Sequence, residues 1–179
     1  MFDIFKTKLT VDQAADALYN LMGKDDPGKW LSQLSDVPKL DLVRAGDELL
    51  FLDVFAIYCS LKFTRYPGWS EKRFLVFASF LGHFLTWLAN FWQNKNVGTM
   101  EDAQRVLDAR FTSYGANMEA TQEDPAETLR SIGATYAAYA FADDESRHIP
   151  DETVVRVAGE AFNHRIQSLD TFFATNKLK

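Results

Sequence analysis

One cysteine, Cys59, and three histidines, His83, His148 and His164, are all that this chain of 179 residues has of those two residue types. A lone cysteine excludes an intrachain disulfide framework and agrees with a reducing compartment. The sequence also lacks a glycine-rich phosphate loop, a Cys-x-x-Cys pair, a nucleophile elbow and a His-Glu-x-x-His helix, so no specific reaction is indicated. No cofactor is expected. Basic residues are the minority, 19 against 25 acidic ones, for a net charge of −6. That charge repels a phosphate backbone at long range and excludes duplex nucleic acid as the main partner. A protein partner, basic in character, suits it better, with a small molecule as the alternative. The opening residues Met1 to Lys6 lack the charged leader, apolar stretch and cleavage site of a secretory signal, so a cytoplasmic location is expected.

Proline is scarce as well, and its placement is informative. Pro27, Pro38, Pro67, Pro125 and Pro150 all fall between apolar periodic runs, where a residue without an amide donor belongs if those runs are helices. Thr10-Val11-Asp12-Gln13 has the form of a capping box, followed by Val11, Ala14, Leu18 and Leu21 at helical spacing and Gly23 as a stop. Asp26-Pro27 opens a short helix to about Leu34. The stretch from Leu40 to Phe63 reads as a long buried helix. Tyr66-Pro67-Gly68-Trp69 reads as a turn, with Ser70 capping a second long helix that reaches about Asn94. Thr99, Asp124-Pro125 and Pro150-Asp151-Glu152 start three more, and no alternating strand pattern competes. The expectation is an all-α, single-domain helical bundle over residues 1–179, with residues 1–9 as an N-terminal extension. It has about six or seven helices and a long central antiparallel helix hairpin.

From Phe74 to Trp92 there is no Asp, Glu, Lys or Arg, a length near that of a bilayer span. Ser79, His83, Thr86 and Asn90 recur in it at steps of four, three and four, which gives the helix a polar seam and favours a central helix, enclosed by its neighbours, over a transmembrane one.

Three groups of residues are candidates for chemistry. Asp53 interrupts an apolar run and needs a partner or a wet cavity. Equal rise on antiparallel helices sets it level with His83, so the seam of Asp53, Ser79, His83, Thr86 and Asn90 forms a candidate ligand pocket in which Asp53 orients His83 as an acid or base. The plainer account is a satisfied structural hydrogen bond. The second group, Lys62, Arg65, Trp69, Lys72 and Arg73, mixes cations and aromatics around the hairpin turn and suits an anion or an acidic partner. The plainer account there is that Trp69 caps the core and the cations solvate the turn. The third group, Glu145 and His148 with Glu160 and His164, has metal-ligand spacing but lies in an acidic loop and on a polar helix face, and no metal site is expected. Phe2, Ile4, Phe5 and Leu9 tuck onto the bundle in the plain reading or touch a partner in the functional one. Cys59 is expected to be an inert core thiol. The function these features favour is a protein-interaction or regulatory role as an adaptor, inhibitor or neutraliser, with a small-ligand binder or enzyme at the Asp53 and His83 seam as the alternative.

Overall fold

The helices begin where a side chain can accept the free amides of a first turn. Thr10 and Gln13 form a reciprocal capping box at the start of α1 (Val11–Lys24), each side chain bonding the other's backbone amide at 3.2 and 3.0 Å. The short α2 (Pro27–Leu31) follows, and Asp41 then accepts the Val43 and Arg44 amides to open α3 (Leu42–Lys62). Thr99 and Asp102 repeat the reciprocal cap at α5 (Met100–Thr121), and single aspartates, Asp124 and Asp151, cap α6 (Pro125–Ala140) and α7 (Glu152–Thr175). The structure is a computed structural model describing residues 6–24, 27–95, 98–141 and 151–179. It is an all-α helical bundle.

The fourth helix departs from expectation at its start. Helix α4 (Pro67–Lys95) begins at the proline, three residues before Ser70. Proline suits the first helical position because its missing amide would have had no partner there, and the Tyr66 carbonyl accepts the amides of both Trp69 and Ser70. Two short strands were also not anticipated. β1 (Thr7–Leu9) pairs in parallel with β2 (Asn176–Leu178), Thr7 opposite Asn176 and Leu9 opposite Leu178. Three residues are too few to show an alternating pattern, so nothing in the sequence marks them.

Contacts group the chain into two units. The first comprises Met1–Asp25, Ala56–Asp108 and Ile166–Lys179. In it α1 packs on α4, with Ala14, Leu18, Val76, Phe80 and Phe84 fully buried. Ser79 bonds Asp12 at 3.1 Å and His83 meets Asp16 at 3.2 Å. Partner numbers rise together, so the two helices run in the same direction. Trp69 is buried against Phe172 and Phe173, ring centres 5.5 and 4.8 Å away, and its indole donates to the Asn176 carbonyl.

The second unit comprises Asp26–Phe55 and Ala109–Arg165. Phe55 is its hub, in ring contact with Phe111, Tyr114 and Phe162. Helices α6 and α7 approach so closely at Gly133 that a Cβ there would lie 2.0 Å from the Val155 carbonyl oxygen. Only glycine fits such a crossing.

Burial falls on a different helix from the one expected. Leu52, Val54, Phe55, Ala56 and Ile57 of α3 are all at most 1% exposed, whereas Phe74 and Leu75 of α4 are 70% and 62% exposed. Ala78, Gly82, Thr86 and Asn90 continue that open side of α4. Phe74 to Trp92 is therefore enclosed on one side only. By length and composition alone α4 is the one helix among the described residues apolar enough to cross a membrane.

Candidate functional site

The polar seam expected between Asp53 and His83 is divided between other partners. Arg165 donates from Nε and Nη2 to the two carboxylate oxygens of Asp53, both at 2.9 Å, and is itself only 2% exposed. A bidentate guanidinium satisfies a carboxylate in an apolar run better than an imidazole does, because two parallel donors match its two oxygens. His83 stands at the surface beside Asp16, Ser79 beside Asp12, and the Thr86 hydroxyl returns to the Gly82 carbonyl of its own helix. Asn90 is exposed. The seam thus serves α1, whose acids at positions 12 and 16 lie one helical turn apart. Asp53 and His83 thus each have a charged partner within their own unit, Arg165 for the one and Asp16 for the other.

Two features of the second unit were missed in the sequence. Arg165 stands three residues after Phe162 on the apolar stripe of α7, and Glu48 stands between Ala45 and Leu52 on that of α3. An ion at a core position of each stripe was the available signal. Glu48 is buried and receives Arg110, whose Nε lies 3.0 and 2.8 Å from its oxygens while Nη2 bonds as well. The Arg110 guanidinium also lies 3.5 Å over the Tyr139 ring. Burial lowers its tendency to hold a proton, but the hydrogen bond and charge of Glu48 more than offset that, and its pKa rises. Burial first, and Glu48 second, push the phenols of Tyr114 and Tyr136 up, so both stay neutral. Tyr136 donates to the Ala45 carbonyl at 2.7 Å, while the buried Tyr114 hydroxyl has no hydrogen-bond partner among the described residues. Two neutral phenols and a bidentate ion pair, all largely buried, suit a scaffold better than proton transfer.

The junction of α3 and α4, in the first unit, has a different character. Arg73 donates to the Lys62 carbonyl at 3.1 Å, and its guanidinium lies 5.0 Å from the Phe74 ring centre. Lys62 in turn places its ammonium 5.3 Å from the Phe63 ring and 5.5 Å from that of Tyr58, which meets Phe77 at 5.4 Å. Cations and aromatics therefore alternate through direct contacts. Arg65 is exposed between the helices, Lys6 lies over Tyr66, and Lys72 bonds the Lys179 carbonyl. Of the five candidates here, Lys62, Arg65, Lys72 and Arg73 are at the surface or partly so, while Trp69 is core and takes no part in it. Phe63, Phe74 and Leu75, each more than 60% exposed, supply the apolar surface. Glu71 is the acid on the same turn.

Other candidates are quickly placed. A groove of about 540 Å³ lies along the first half of α7, floored by Leu129, Val155 and Gly159 and rimmed by the ion pairs Arg130–Glu152 and Arg156–Glu160. His164 meets the Trp30 ring at a tilt, ring centres 5.8 Å apart, Glu160 is taken by Arg156, and no metal-binding cluster occurs among the described residues. Glu145 and His148 lie outside the described residues, as do Phe2, Ile4 and Phe5. Cys59 is buried, and burial pushes its thiol up to about 12, as an inert core residue requires. Compared with family models, curated proteins and solved structures, the chain matches none.

Proposed function

We propose that this chain is an interaction protein that docks an anionic partner surface at the α3–α4 junction. The observation that carries this reading is the exposure of Phe63, Phe74 and Leu75 beside the contact chain of Lys62 and Arg73. Large apolar side chains left in water at one place mark a binding surface, and flanking cations select its sign. The overall net charge suggests a basic partner, but recognition is local, and the local charge here is positive. The alternative, a small-ligand binder or enzyme, rests on an Asp53 and His83 seam, and each of these residues has a charged partner of its own.

The test is retention on a sulfonate-bearing cation-exchange matrix at neutral pH. A protein of net charge −6 flows through such a matrix unless its cations are clustered. The expected result is retention that salt reverses, and loss of retention in a Lys62→Glu, Arg65→Glu double variant. Flow-through of the unmodified protein overturns the reading.

A further inference from the structure

Resting on that docking surface, we infer that its occupant is the interface of an anionic lipid bilayer. The choice follows from the shape of the apolar groups as well as from the charge around them. Phe63, Phe74 and Leu75 are 61%, 70% and 62% exposed, so they project into solvent instead of walling a groove. A concave seat suits a peptide, which buries its own side chains in it, and these three side chains are not among the lining of the groove along α7. A bilayer is the partner that receives projecting side chains, because its headgroup and acyl boundary closes around them.

The surrounding charges suit the same partner. Lys62, Arg65, Lys72 and Arg73 lie beside the projections, where cations sit at the level of anionic headgroups, and Glu71 is the acid among them. The remaining surface carries the excess of acid that makes the net charge −6. An anionic membrane therefore attracts this cluster against the repulsion of the overall net charge.

Insertion is shallow. Farther along α4 the polar residues His83, Thr86 and Asn90 are exposed, and the neighbouring carboxylates Asp12 and Asp16 stand beside Ser79 and His83. Taking these groups into hydrocarbon would be costly, so α4 touches the membrane with its first turns and does not cross it.

Vesicle sedimentation with the full chain tests this, using phosphatidylcholine vesicles, phosphatidylcholine vesicles containing phosphatidylserine, and a soluble glutamate-tyrosine copolymer as the acidic polypeptide. Binding to the phosphatidylserine vesicles alone among the lipids is expected. Lys62→Gln with Arg65→Gln should weaken it by roughly thirty-fold, from about a factor of five for each cation near the surface. Phe74→Ser with Leu75→Ser changes exposed side chains, so the variant should keep its helical circular dichroism while losing vesicle binding. Binding that ignores the serine variant overturns the inference. Capture of the copolymer without capture of vesicles also overturns it and leaves the docking surface standing with a protein partner. Failure on vesicles, copolymer and cation-exchange matrix together removes both.

Discussion

Arg165 shows how one side chain can carry more than its share of stability. At 2% exposure it holds both oxygens of Asp53, so Asp53→Ala should destabilise the fold by about 3 kcal/mol, as removing one partner of a largely buried ion pair does. Asp53→Leu combined with Arg165→Met removes both charges and should recover most of that loss; urea unfolding of the single and double variants measures it. If Asp53→Ala unfolds at the unmodified midpoint, the pair is not the constraint described. Asp102 offers a pH test with a defined sign. The Thr99 amide and then its hydroxyl bond the carboxylate and hold its pKa below the ordinary range. A depressed folded value means that the contribution is complete above the unfolded pKa, near about 4, and is lost as pH falls through the folded one. Thr99→Ala should raise the Asp102 midpoint in an NMR titration, and an unmoved midpoint would contradict the cap. At this scale the sequence was only half legible. A charge inside an apolar run announces that Asp53 needs a partner, but partner choice depends on which helix faces it, and level positions on one assumed pair of helices pointed to His83 instead of Arg165.

Helices are where sequence reasoning succeeded, because caps, prolines and apolar periodicity act locally. Thr10 with Gln13, Thr99, Asp124 and Asp151 all stand where the start signals placed them, α3 begins two residues later than expected, behind Asp41, and the start of α4 at Pro67 instead of Ser70 exchanges one accepted first-turn device for another. Which helix is buried is not local. The apolar count favoured α4, but enclosure depends on what packs around a helix, and the run Leu52 to Ile57 of α3 holds more fully buried side chains than the first turns of α4. The same distinction applies to glycine. Gly115 in α5 has open space where a side chain would go, whereas Gly133 in α6 faces the Val155 backbone at 2.0 Å from a built Cβ. Gly115→Ala should therefore raise stability by about 0.5 to 1 kcal/mol through helix propensity alone. Gly133→Ala must push α6 and α7 apart and should cost more than about 2 kcal/mol, comparable to overpacking a core. Thermal unfolding of the two variants gives opposite signs if the crossing is as close as described, and a gain at both positions would refute it.

Across the whole molecule, the feature least visible in the sequence is the pairing of residues 7–9 with residues 176–178. It closes a loop of nearly the whole chain, and closing such a loop is entropically opposed, so the contacts made there must offset that cost. They are few but connected. The Lys179 amide donates to the Leu9 carbonyl at 2.8 Å, and the buried Trp69 indole donates to the Asn176 carbonyl at 3.1 Å, which ties the strand to the start of α4. Amides of a strand point alternately to either side, so the Lys177 amide faces β1 as that of Lys179 does. Lys177→Pro removes this donor and bends the strand away from its partner. The Trp69 indole then loses a fixed acceptor, and its hydrogen exchange should speed up by about ten-fold or more, corresponding to one or two lost hydrogen bonds at about 1 kcal/mol each. Trp69→Phe should lower the unfolding temperature by removing the same tie from its other end. If indole exchange in Lys177→Pro matches that of the unmodified protein, Trp69 is held by Phe172 and Phe173 alone, and the strand pair contributes nothing to the folded state.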